Sequence, residues 1–166
     1  MALRRHQRLS VHDVDPAAYQ AVLALEDYVR ASDLPKPIYE LVKIRASQIN
    51  GCAFCLDMHC RDARTGGEEQ RRLDVLSAWR EAADLFSEKE RAALALTESV
   101  TLIGQDGVPD GVWGDAATHF PGPMIVPLLM AIAVINVWNR LAVSTHQALP
   151  DLGQGPPAGT TPDGEV

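Results

Sequence analysis

Between Met124 and Ile135 the sequence carries no polar side chain. A helix that is apolar on every side must be covered on every side. A chain of 166 residues is expected to form one domain, with too little material to wrap such a helix completely. The run therefore suggests that another subunit covers part of the helix, which argues against a monomer. A bilayer crossing takes about 20 apolar residues. This run is shorter and holds Pro127, so no membrane span is expected. Asn136, Trp138, Asn139 and Arg140 follow it. They read first as packing and interface groups and second as groups lining a site.

The rest of the chain divides at turn signals, with no internal repeat and no strand pattern. Residues 1–14 read as an N-terminal arm. Arg4, Arg5 and Arg8 are basic, but no apolar run follows them, so they do not begin a signal peptide. Asp15-Pro16 opens a helix to about Ala31, with Tyr19, Val22, Leu23, Leu25 and Val29 on its apolar face. After a break at 33–37, a second helix runs from about Pro37 to Ile49. Ile38, Leu41, Val42, Arg45 and Ile49 share one face, and Glu40, Ile44 and Ser47 another. Asn50-Gly51 ends it. A third helix is expected from Cys52 to about Thr65, stopped by Gly66-Gly67. A charged amphipathic helix follows from Glu68 to about Ala83, with Leu73, Leu76 and Trp79 inward. Ser87 and Glu90 make a capping box. It opens a helix to about Ile103, with Ala92, Leu96, Ser99 and Ile103 on one face and Glu98 as a surface charge. A loop at 104–107 leads to a short helix from Asp110 to His119, where His119 lacks the partners of a ligand. Residues 150–166 are rich in Gly, Pro and Thr and are expected to form a flexible tail.

A net charge of −7 without a basic patch, and only 5% aromatic residues, argue against a nucleic-acid partner. Three cysteines are too few for a secreted disulfide framework. A CxxC pair with a histidine nearby fits the reducing cytoplasm, where its disulfide is transient.

Residues 39–60, YELVKIRASQINGCAFCLDMHC, hold Glu40, Cys52, Cys55 and His59. On a helix starting near Cys52, with about 100° per residue, Cys55 lies about 60° and His59 about 20° from Cys52. The three share one stripe. Cysteines three apart on a helical turn have Cα atoms roughly 5 to 5.5 Å apart, inside the range of a disulfide. His59 leans back over Cys55, its i−4 neighbour. Cys52 sits near the helix start, where free N–H groups favour an anion. The chemistry needs a thiolate. A free thiol titrates near ~8.5, so only ~3% is ionised at pH 7. A shift to about 6.5 ionises roughly three quarters of it, for about 2.7 kcal/mol. Glu40, on the preceding helix, is placed to orient His59 or take its proton. Two other readings stay open on spacing alone. Cys52, Cys55 and His59 could bind zinc with Cys60 or Glu40 as fourth ligand, although Cys60 points about 80° away from Cys52. The cysteines could also be structural, as Cys60 is expected to be.

The run E-x11-C-x2-C-x3-H, in the context ELVKIRASQINGCAFCLDMH, strongly resembles the core of the alkylhydroperoxidase AhpD family, within the carboxymuconolactone decarboxylase-like superfamily. The similarity is dense over about residues 36–66 and continues weakly to Trp138, Asn139 and Arg140. The resemblance implies an all-α fold, an AhpD-like helical bundle over residues 15–149 that is an obligate oligomer, trimer or hexamer. It implies that Cys55 is the peroxidatic thiol, Cys52 the resolving one, and Glu40 and His59 a proton relay. It also implies a dithiol reductant, often a protein-bound dihydrolipoyl group, and no metal, flavin or haem. There is one departure. The best-known peroxidase members carry a histidine just before the second cysteine, where this chain has Phe54. The decarboxylase branch lacks the cysteine pair, so the superfamily name is not an activity here.

The expected function is thus a thiol-dependent peroxidase that reduces alkyl hydroperoxides. The alternatives are a general thiol–disulfide oxidoreductase or redox sensor with little peroxidase turnover, and a non-enzymatic helical oligomer that binds zinc or an apolar ligand.

Overall fold

The computed structural model describes residues 6–104 and 107–150. Among these the chain is all helix and turn, with no strand. In order come α1 (Val11–Val14), α2 (Pro16–Arg30), α3 (Lys36–Asn50), α4 (Ala53–Thr65), α5 (Gln70–Val75), α6 (Glu88–Thr101), α7 (Asp110–His119) and α8 (Ile125–Thr145). The bundle is built around α3, which packs against α4, α6 and α8. α8 packs also on α2, and α6 on α7.

The local signals explain most boundaries. The Asp15 carboxylate accepts from the Ala18 N–H at 3.0 Å, and Pro16 takes the first position of α2, where no N–H is needed. Ser87 and Glu90 form the full capping box, with bonds of 2.7 and 3.3 Å. Gly51 ends α3 at φ +66°, a left-handed conformation that glycine adopts without steric cost. The turn closes with the Gly51 N–H on the Gln48 carbonyl and the Cys52 N–H on that of Ser47, at 3.3 and 3.0 Å.

One core cluster joins α2, α3, α7 and α8 through Val29, Ile38, Val42, Phe120, Leu128 and Ile132. A second joins α3, α5 and α6 through Leu41, Ile44, Leu73, Leu76, Phe86 and Leu94. A third, small cluster holds Ala46, Cys52, Cys55, Ile135 and Ala142. Each large side chain so buried contributes roughly 1.5 to 3 kcal/mol. The site pair is thus part of the core.

Several expectations need correction. The helix expected from Glu68 to Ala83 is broken into α5 and two 3-10 turns, Leu76–Ala78 and Ala83–Leu85. The cause is spacing. Leu73, Leu76, Trp79, Ala82 and Leu85 recur at every third position. On an α-helix that row drifts by about 60° per step, whereas three residues per turn keep it aligned. Arginine side chains supply the lost backbone bonds. Arg72 donates to the Leu85 carbonyl at 2.8 Å, and Arg91 to the carbonyls of Ala83 and Phe86 at 3.3 and 2.8 Å.

On α2, Leu25 is exposed and Glu26 faces inward. α6 stops at Thr101, which leaves Ile103 62% exposed. Glu98 is no surface charge: it accepts from Trp79 Nε1 at 2.9 Å and Arg45 Nε at 2.8 Å, and pairs with Arg80. α8 is not covered all round within one chain. Val126 and Val137 are 47% and 36% exposed, and Ala133 is exposed between them. The helix also outruns the apolar stretch. With its leading turn it spans Gly122–Thr145, long and apolar enough by length and composition to cross a membrane. The length argument therefore fails, although this helix is packed here against α2, α3 and α6.

The described part of the arm bonds the end of α8. The Arg8 N–H donates to the Thr145 carbonyl at 2.7 Å, and its guanidinium to that of Ser144 at 3.0 Å. A cation thus caps the C-terminal end of α8. The tail expected at 150–166 lies, from residue 151 on, outside the described residues.

Candidate functional site

The Gly51 turn lets α4 fold back antiparallel along α3, which carries Glu40 to His59. Glu40 Oε2 and His59 Nδ1 are 3.1 Å apart. Both side chains are buried, with residue exposures of 6% and 4%. Neither partner stands in water, so the bond fixes the ring orientation and directs the imidazole's other nitrogen away from Glu40.

Cys52 is not the first residue of a helical stripe, as the spacing suggested. It is the N-cap of α4, in an extended conformation, and its Sγ accepts from the Cys55 N–H at 3.4 Å. One residue therefore both closes α3 and caps α4. The two sulfurs are neighbours, unbonded to each other in this structure, and exposed by 1% and 2%. The Cys55 thiol donating to Cys52 pulls Cys52 down to about 7. Backbone N–H groups of Cys55 and Phe54 and the Asn139 amide act the same way, against burial. Close to half of Cys52 is then ionised at neutral pH. The Cys55 thiol is pushed up, because it serves as that donor and is itself buried. When the pair ionises, the negative charge sits on the cap.

Asn139 is the residue that the sequence reading placed second as a site group and that the structure puts beside both sulfurs. It is fully buried. Its Nδ2 donates to Ser47 Oγ at 3.0 Å, and its Oδ1 accepts from Asn50 at 2.9 Å. Asn50 also donates to Asn136 at 2.9 Å, and Asn136 to Thr101 Oγ1 at 3.0 Å. These amides fasten the α3–α4 turn to α8. Two asparagines three apart, directly after the apolar run, were the available signal.

Phe54 packs against the cysteine cluster, so an apolar ring stands where the resemblance expects a further proton carrier. Cys60 is partly buried against the second core cluster, and burial raises its thiol, which fits a packing role. His119, partly exposed, lies 3.6 Å from Asp115, one turn earlier on α7.

A cleft of about 460 Å³ reaches the dyad between the end of α2 and α4, with Val29, Arg30, Tyr39, Glu40, His59 and Asp62 among its walls. Among the described residues, the potential ligand atoms that cluster within 4.8 Å are those of Glu40, His59 and Asp62, and neither sulfur joins them. The zinc set of two thiols and an imidazole is therefore not assembled. Glu40 is engaged with His59 and Asp62 is exposed, so the trio stands at the mouth of the dyad.

The fold and site define an all-helical protein with a buried CxxC pair at a helix start, backed by a buried Glu–His dyad. The chain belongs to the carboxymuconolactone decarboxylase family, whose pattern matches residues 16–99. It is 41% identical over 138 residues to the uncharacterized protein YdfG of Bacillus subtilis, covering 83% of this chain and 93% of that one. It is 29% identical over 113 residues to the uncharacterized protein YnjA of Escherichia coli, 67% of this chain and 60% of that one. A crystal structure from Agrobacterium tumefaciens, described as a protein of unknown function and candidate antioxidant defence protein AhpD, superposes with a TM-score of 0.84 at 40% identity. It covers 87% of this chain and 99% of its own. An uncharacterized peroxidase-related protein from Silicibacter sp. TM1040 shares the fold, with a TM-score of 0.71 at 19% identity, over 82% of this chain and 72% of its own. The AhpD-like assignment within this family therefore stands.

Proposed function

We propose that the protein is a thiol peroxidase that reduces hydroperoxides with Cys52 and Cys55. The observation that carries this reading is a buried pair of free thiols at the start of α4, with Cys52 Sγ on the Cys55 N–H, on the same helix as His59 of the buried Glu40–His59 dyad. The proton of Cys55 passes to His59, and the Cys55 thiolate attacks the O–O bond. The distal oxygen stays on Cys55 as a sulfenic acid, and the alkoxide leaves as the alcohol after taking a proton from the dyad. Cys52 then attacks the sulfenic sulfur, which releases water and forms the disulfide. An external dithiol, such as a dihydrolipoyl group, returns two electrons and two protons. Nucleophilicity rises with thiol pKa, which favours Cys55 once ionised. The lower pKa of Cys52 makes it the better leaving group when the reductant attacks Cys55.

The test is hydroperoxide consumption with a dithiol reductant. Cys55→Ser should abolish it, and Cys52→Ser should leave a sulfenate that a nucleophilic trap captures. Full activity in Cys55→Ser would refute the assignment. A trapped sulfenate on Cys52 in that variant would reverse the two roles.

One observation favours a second reading. An N-cap cysteine with a lowered pKa in a CxxC pair, with Phe54 beside it, suits thiol–disulfide exchange with little peroxidase turnover. Comparing turnover on a hydroperoxide and on a disulfide separates the two. In either case we place the protein in the reducing cytoplasm, without a nucleic-acid or membrane partner. We further propose a homo-oligomer, trimer or hexamer, in which the exposed row of Val126, Ala133 and Val137 on α8 is covered by another copy.

A further inference from the structure

The cleft ends on atoms that no partner in the bundle takes up. Glu40 and His59 line it, and both are more than nine-tenths buried. Their bond to each other, between His59 Nδ1 and Glu40 Oε2, is the one side-chain hydrogen bond of either residue among the described residues. Glu40 Oε1 and His59 Nε2 have no partner among those residues, yet neither is sealed from water. Polar atoms of side chains so buried are seldom left without a partner. Asp62 lines the same cleft, three residues after His59 and on the same side of α4. One ligand atom from each of Glu40, His59 and Asp62 lies within 4.8 Å of the other two. The turn at Gly51 thus brings a carboxylate of α3 to an imidazole and a carboxylate of α4.

We propose that Glu40, His59 and Asp62 bind one divalent transition-metal ion of the zinc class, and that the ion inhibits the dyad. Three protein ligands with water in the fourth position make an open zinc site, and the cleft supplies the water. Two carboxylates balance a divalent charge. The imidazole favours zinc, nickel or iron over magnesium and calcium, which prefer oxygen ligands throughout. Bonds of about 2.0 to 2.2 Å set the ligand atoms of a tetrahedral ion roughly 3.3 to 3.6 Å apart. The dyad atoms already stand 3.1 Å apart, so the main movement falls to the exposed Asp62 side chain. Neither sulfur belongs to the group. Two cations, Arg30 and Lys36, also line the cleft and weaken its hold on a metal. Arg30 is drawn to Glu26, 3.6 Å away, which also bonds the buried Lys43. Lys36 is exposed and screened by water. The inhibition, but not the binding, rests on the peroxidase reading: an ion here replaces the Glu40–His59 hydrogen bond and fills the inner end of the cleft.

Binding is tested without peroxide, on protein carrying Cys52→Ser and Cys55→Ser, so that the thiol pair cannot capture the ion. Calorimetry with zinc chloride should show one ion per chain. Adding Asp62→Asn should weaken binding at least about tenfold, and adding His59→Ala should abolish it. Asp62 is exposed, so its variant keeps the test open if His59→Ala unfolds. Cobalt in place of zinc should give a visible spectrum without the thiolate charge-transfer band that Cys60 would add. No binding, binding indifferent to Asp62→Asn, or a thiolate band would overturn the site. Inhibition is tested on reduced protein with its own cysteines, in a single oxidation by hydroperoxide with no dithiol present to chelate zinc. Measured against each protein's own metal-free rate, half-inhibition should need about ten times more zinc in Asp62→Asn. Equal sensitivity would place the inhibition on the thiols and overturn that half of the inference. If the wild type consumes no hydroperoxide but the serine protein binds zinc as stated, the peroxidase reading falls and the metal site stands.

Discussion

Replacing Asn139 with alanine probes the junction on which the site depends. The side chain is fully buried, and it both accepts from Asn50 at 2.9 Å and donates to Ser47 at 3.0 Å. Each such bond is worth about 1 kcal/mol net. The larger cost comes from what is left behind. The Ser47 hydroxyl is fully buried and loses its Asn139 donor, at about 1 to 3 kcal/mol. The sum is about 3 to 5 kcal/mol, or roughly 6 to 20 °C in Tm for a chain of this size. Stability alone would not separate a scaffold role from a site role. The same amide helps to lower both thiols, so its loss should also move the alkylation midpoint of the pair upward. Thermal melts and alkylation rates against pH, both on reduced protein, measure the two effects. A lower Tm with an unmoved midpoint would confine Asn139 to the scaffold. No change in either would refute the network.

Three further outcomes are expected. The reduced protein should gain stability from about pH 7 to 9 and lose it above. Cys52 is depressed to about 7 from an ordinary 9.0, so the unfolded chain binds more protons in that window. Cys55 is raised, so above pH 9 the folded chain binds more. Denaturant titrations across this range should show the maximum, and Cys52→Ser should remove the rise below it. Gly51→Ala should cost about 1 kcal/mol, because φ +66° is a left-handed conformation. A cost near zero by denaturant melt would mean that the α3–α4 turn relaxes. Val137→Glu, at a 36% exposed position on α8, should lower the oligomer's mass in sedimentation if that face is covered by another copy. An unchanged mass would place the interface elsewhere.

Much of the fold was legible because its boundaries are set by nearest neighbours. Asp15-Pro16, Asn50-Gly51 and the Ser87–Glu90 box each act within one turn of chain. The dyad was legible for the same reason: a turn of fixed type between two helices brings Glu40 and His59 together. What escaped involves partners far apart in sequence. Glu26 sits on the stripe of Val22 and Val29, and Lys43 on that of Tyr39, so each alone reads as an awkward charge. Only tertiary contact shows them as one pair. The Asn136 and Asn139 amides likewise gain meaning from Asn50 and Ser47. The break after α5 was visible in the strict spacing of three, which a search for amphipathic α-helix absorbs. The sulfurs were placed one step wrong. Cys52 was read into the helix, whereas the left-handed Gly51 leaves it in the extended conformation of a cap.

That cap decides how the sulfur chemistry can be dissected. A serine hydroxyl at position 52 is a stronger acceptor for the Cys55 N–H than the thiol it replaces, so Cys52→Ser deletes the electron chemistry and keeps the architecture. Alanine removes both at once, at about 0.5 to 2 kcal/mol. A dead Cys52→Ala protein would report a loosened helix start as readily as a missing nucleophile, whereas the serine form isolates the sulfur.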